Sequence, residues 1–124
     1  MVVGPAVKES DALLLDGMQR LLEAYGAARQ VILETEQLLE VGIDLIRGGG
    51  SVVDALRERP AADRRQAIQD ALAAVDAARH EHRLRLVRSC LEEGMRPAEI
   101  ASGLGISRQR VDVYVQELKR VPPD

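Results

Sequence analysis

The sequence has no Phe and no Trp, and Tyr25 and Tyr114 are its only tyrosines. Without large rings, a core has to be assembled from aliphatic side chains. Ala, Leu, Arg, Glu and Val dominate, a composition that favours helix over sheet. Cysteine is nearly absent too: Cys90 stands alone, so no internal disulfide can form. No apolar run approaches the roughly 20 residues that span a bilayer. Met1 to Ser10 lacks the basic start and long apolar centre of a secretory signal. These absences lead to the expectation of a cytoplasmic protein with no membrane segment. A strong basic excess is also missing. The net charge of −3 does not suggest tight, indiscriminate binding to nucleic acid, which needs many phosphate contacts.

The charge is unevenly spread. From Arg83 onward eight basic residues face six acidic ones, so this end carries +2 and the remainder −5. That asymmetry suits a weakly basic tip on an acidic body that binds a partner or a second copy.

Apolar periodicity predicts an all-α fold. After a flexible tail over residues 1–10, with Gly4-Pro5 opposing regular structure and Ser10 placed to cap, one long helical pattern runs from Asp11 to Arg47. Its strongest stripe is Leu14, Met18, Leu21, Tyr25, Ala28, Ile32, Thr35, Leu39, Gly42 and Ile46. Intervals of four and three are the spacing of a supercoiled seam. Gly48-Gly49-Gly50 ends this helix because glycine loses the most entropy on ordering. Ser51 caps a short helix with Val52, Val53 and Leu56 on its apolar side, and Arg59-Pro60 closes it.

A second long pattern covers about Ala61 to Glu93. Ile68, Leu72, Val75 and Ala78 form its first stripe, and Leu84, Val87 and Leu91 its later one. Gly94 stops it, Pro97 starts the next helix at its first position, and Val121-Pro122-Pro123 stops the last. The architecture expected is a long helical hairpin or bundle arm over residues 11–82, followed by a C-terminal three-helix unit over residues 83–121. The apolar face of the first helix is too wide for the smaller face of the second to cover. Leu21, Tyr25, Ile32 and Leu39 are therefore expected in helix–helix contacts both within the chain and in a homodimer made through the long N-terminal helix.

Within that last unit, Ile100, Ala101 and Leu104 line one side of a short helix. Gly105 sits at a sharp turn and Ile106 plugs the angle. Ser107 is placed to cap the following helix, and Val111, Tyr114, Val115 and Leu118 return to the core. Ile100-Ala101, Leu104-Gly105-Ile106-Ser107 and Val111 resemble the helix-turn-helix of bacterial transcriptional regulators and of the DNA-binding ends of resolvases and sigma factors. The resemblance covers about a fifth of the chain and implies a sequence-specific double-stranded DNA-binding protein, a transcriptional regulator acting as a homodimer.

By that resemblance the second helix enters the major groove. Its early positions Ser107, Arg108, Gln109, Asp112 and Val113, with Gln116 a turn on, would face the DNA. Arg108 would address guanine and Gln109 adenine. Arg96, Ser107 and Arg110 would hold phosphates. Asp112 repels phosphate unless it accepts from cytosine N4, and Val113 offers only an apolar contact. The acidic body and Asp112 favour the alternative, a helical interaction module whose helix-turn-helix binds a protein partner.

Other chemistry finds little footing. His80 and His82 lie about 200° apart on a helix, so they cannot share one metal ion. The glycine triplet lacks the Lys-Ser/Thr of a phosphate loop. Cys90 reads as a small hydrophobe, and no carboxylate spacing demands acid–base work. The expectation is no enzyme, no cofactor and no metal.

Overall fold

The computed structural model describes residues 7–58 and 61–120, with the side chains of residues 58, 61 and 62 outside the description. Among these residues the fold is helical throughout, with no strand: α1 (Glu9–Arg47), α2 (Val52–Glu58), α3 (Ala61–Glu92), α4 (Pro97–Leu104) and α5 (Arg108–Arg120). The expected stops at Arg59-Pro60 and Val121-Pro122-Pro123, and the loop at Gly4-Pro5, lie outside the described residues. No described helix is long and apolar enough to cross a membrane.

The helix ends follow local chemistry. α1 terminates where Gly49 takes a φ of +85° and Gly50 N–H reaches Leu45 O at 2.9 Å. A Cβ on Gly50 would lie 2.8 Å from Leu45 Cγ and 2.9 Å from Leu45 O, so only glycine permits this closure. Ser51 Oγ accepts from Asp54 N–H at 3.3 Å and caps α2. At the other end α1 starts at Glu9, ahead of the expected Asp11, with Ala12 N–H bonded to Lys8 O. Ser10 is therefore inside the first turn and not its cap. Its carbonyl accepts from Ser89 Oγ at 3.3 Å, and its hydroxyl, with Arg88, holds the Glu92 carboxyl below its ordinary pKa.

The chain divides into two compact units. One comprises residues 7–21 and 78–120 of those described; the other is Leu22–Ala77. In the first unit the start of α1 lies against the later half of α3 in reversed order. Ser10 meets Ser89, and Arg85 donates from Nη1 to Leu13 O and Asp16 Oδ2, both at 2.9 Å. The Arg85 hydrogen bond holds the Asp16 carboxyl below its ordinary pKa. Gly17 is buried here because a Cβ would lie 3.1 Å from Arg85 Cδ and 3.6 Å from His82 Cα. The aliphatic core of this unit is Val87 of α3, Ile100 and Ala101 of α4, and Val111 and Tyr114 of α5. Leu84, Leu91, Met95, Leu104, Ile106 and Leu118 pack around it, with Cys90 half-buried beside them. Burial raises the pKa of the Cys90 thiol, which disfavours the reactive thiolate.

The second unit is much poorer in core. Among its described residues the buried apolar ones are Ala28 and Val75. Arg64 Nη1 reaches Glu34 Oε2 at 3.1 Å, which ties α3 to α1. α1 turns two adjacent seams in two directions. Leu14, Gly17, Leu21, Ala24, Ala28, Val31, Thr35, Leu38 and Gly42 are buried or half-buried, at intervals of three and four. One residue further on, Met18, Leu22, Tyr25, Ile32, Leu39, Ile43 and Ile46 are exposed. The expected single stripe is thus a composite of both seams. Leu21 lies inward as expected, but Tyr25 is 49 % and Leu39 62 % exposed. The inward seam carries Gly17, Ala24 and Ala28, and small residues allow close helix approach. On α3 the same choice leaves Val75 buried and Leu72 exposed. Leu38, Leu39, Ile43, Ile46, Leu56 and Ile68 wall an open apolar groove of about 720 Å³ in this unit.

Candidate functional site

α4, its turn and α5 pack on one another, and local hydrogen bonds set the turn. Gly105 has φ 67° and ψ 31°, the left-handed region that suits glycine. Its N–H bonds Ser102 O at 3.3 Å, and Ile106 N–H bonds Ala101 O at 3.1 Å, which satisfies the last carbonyls of α4. Ile106 then turns inward against the core. Ser107 Oγ accepts from Arg110 N–H at 3.1 Å and caps α5 as expected. Removing that acceptor in Ser107→Ala should cost about 0.5–2 kcal/mol of stability, read by urea denaturation, and Ser107→Asp should recover most of it. Equal stability of all three proteins would show that the cap does not matter.

α4 starts at Pro97, with Arg96 extended at its N-cap. Glu99 Oε1 accepts from Arg96 N–H at 3.2 Å and from Arg96 Nε at 3.0 Å. An arginine side chain has no acceptor, so the cap is one-sided, with the N3 carboxylate closing back on the N-cap. These two bonds hold the Glu99 carboxyl below its ordinary pKa.

α5 divides cleanly by face. Val111 and Tyr114 are buried, with Val115 and Leu118 packed beside them. Gln109, Val113 and Gln116 lie on the opposite side, all exposed, Val113 to 56 %. Arg108 and Asp112 form one flank of that surface and pair with each other, Nε to Oδ1 at 3.4 Å. Arg110 is exposed on the other flank. All eight residues singled out from the sequence, Arg96, Ser107, Arg108, Gln109, Arg110, Asp112, Val113 and Gln116, are exposed. Arg108 and Arg110, two positions apart, point about 200° apart around α5. Arg120 was missed by the sequence reading. It is exposed one turn beyond Gln116, and the same periodicity would have found it.

The electrostatics are moderate. Arg96 and Arg108 each have a carboxylate of their own helix at hand, Glu99 and Asp112. Arg110 has no ion pair among the described residues. Lys119 and Arg120 add positive charge at the end of α5. Behind this surface His80 of α3 braces α5. Its Nε2 lies 2.9 Å from Glu117 Oε2, and its ring meets Tyr114 at a centroid distance of 5.5 Å. His82 faces other neighbours, and burial lowers its pKa. No family model, no curated protein and no solved structure matches the chain.

Proposed function

We propose that the protein binds double-stranded DNA sequence-specifically through α4, its turn and α5, and serves as a transcriptional regulator acting as a homodimer. The observation that carries this reading is the division of α5. Its buried face is spent on the core with Val87, Ile100 and Ala101, and its other face offers Gln109, Val113 and Gln116 between flanking arginines. A helix presenting hydrogen-bonding amides, a small apolar contact and arginine forks has the chemistry that base edges require. The Gly105 turn and the Ser107 cap hold it on a well-packed base.

The Arg108–Asp112 pair fits this role. An exposed i,i+4 ion pair contributes only about 0.3–0.5 kcal/mol, so Arg108 can leave Asp112 for guanine at small cost. Asp112 is then left to accept from cytosine N4. Asp112, Glu117 and the acidic second unit limit non-specific attraction, so discrimination depends on the few base contacts. One such surface makes few contacts, and two copies at a fixed spacing supply the rest.

The test begins with recovery of bound genomic fragments by the intact protein, followed by fluorescence titration on the recovered site and a scrambled duplex. Arg108→Ala should weaken the preferred site by about 1–3 kcal/mol and leave the scrambled duplex nearly unchanged. Arg110→Ala should weaken both alike and lower the salt slope by about one unit. Equal losses on both duplexes for Arg108→Ala would defeat the base-contact role. A second reading, docking of a protein partner, is favoured by the neutralised Arg96 and Arg108 and the exposed Val113. A folded protein that binds no duplex at any salt would select it.

A further inference from the structure

We infer that two copies join through the outward seam of α1, running antiparallel about a two-fold axis; this deepens the homodimer reading by naming its surface and direction. Within the second unit, Leu22, Tyr25, Arg29, Ile32, Glu36, Leu39, Ile43 and Ile46 follow one another at strict intervals of three and four. Six of these eight are large and apolar, and all eight are exposed. That spacing keeps a seam facing one partner helix along its whole length. The inward seam is already used against α3, so the outward one requires a separate partner.

The bare surface fits a second copy. Among the described residues of 22–77, Ala28 and Val75 are the buried apolar side chains, while Leu22, Ile32, Leu39 and Ile46 stay exposed. Leu39, Ile43 and Ile46 belong both to the seam and to the groove wall, so one partner covers both. The unit carries six arginines against ten carboxylates, which disfavours a polyanionic occupant such as DNA or an anionic membrane.

The two charged members of the seam set the direction. Arg29 and Glu36 have no ion pair within the chain among the described residues. In a parallel pair Arg29 would face its own copy, and so would Glu36, setting like charges together at each level. In an antiparallel pair centred near Ile32 and Leu33, Arg29 of each copy approaches Glu36 of the other, giving two ion pairs by symmetry.

The closing experiment is sedimentation equilibrium of the full chain without DNA, with circular dichroism as the check on folding. The unmodified protein should have twice the 13.6 kDa chain mass at micromolar concentration. Ile32→Asp and Leu39→Asp, at exposed positions, should keep their helicity and fall to one chain mass. Arg29→Glu should raise the dissociation constant roughly tenfold, and adding Glu36→Arg should restore it. A dimer unmoved by Ile32→Asp and Leu39→Asp would overturn the seam while leaving the homodimer standing. A dimer weakened by both aspartates but indifferent to Arg29→Glu would overturn the antiparallel direction. One chain mass for the unmodified protein would overturn the seam and the homodimer together, and failure to bind DNA touches neither.

Discussion

Ile100→Ala should lower the unfolding free energy by about 2–5 kcal/mol, visible as an earlier urea midpoint with an unchanged slope. Ile100 is 1 % exposed and, with Val87 and Val111, is among the largest side chains fully enclosed by the protein. It sits on α4 where that helix meets both α3 and α5. Truncation removes transfer free energy and leaves a cavity. α4 is short and held at both ends, by the Glu99–Arg96 cap and by Gly105, so it has little freedom to collapse into the space. With typical stabilities of about 5–15 kcal/mol, the loss is a large fraction of the whole. A shift below about 1 kcal/mol would mean that the α3–α4–α5 core does not centre on this residue.

Two glycine substitutions on α1 should have opposite signs. Gly17→Leu should destabilise by about 1–3 kcal/mol, because a side chain there drives into Arg85 and the α3 backbone at His82. Displacing Arg85 would also disturb its bonds to Leu13 O and Asp16. Gly26→Ala should stabilise by about 0.5–1 kcal/mol, since no atom lies within 4 Å of a Cβ placed there and alanine is the better helix former. Thermal unfolding of both variants beside the unmodified protein gives the comparison. Stabilisation by Gly17→Leu would mean that α1 and α3 are further apart at this point than 3.1 Å implies. Loss of stability in Gly26→Ala would place an unrecognised neighbour against that face.

These two glycines mark where sequence reading stops. Gly17, Gly26 and Gly42 look alike as interruptions of a helical pattern, and either bends or close contacts explain them. Only Gly17 has a neighbour that demands its lack of a side chain. Likewise His80 and His82 were separable by helix geometry, but nothing local indicated that His80 would brace Glu117, thirty-seven residues away. Arg85, whose guanidinium is largely buried against a backbone carbonyl of α1, gave no local signal either.

What the amino-acid order determined by itself is local. Aliphatic periodicity made helices, with no strand among the described residues, glycine and proline placed the ends of α1, α3 and α4, and Ser51 and Ser107 capped α2 and α5 through bonds spanning three residues. The exposed face of α5 was legible for the same reason, since its apolar residues occupy one side only. What the tertiary structure alone decided is which of two apolar seams on α1 turns inward. The seams differ by one residue, a rotation of about 100°, and each is apolar over most of its length. Hydrophobic burial is non-directional and roughly proportional to area, so periodicity could not choose between them. Packing chose: at Gly17 the α3 backbone at His82 lies within 3.6 Å of where a Cβ would sit, and the bulkier seam one residue on is left exposed.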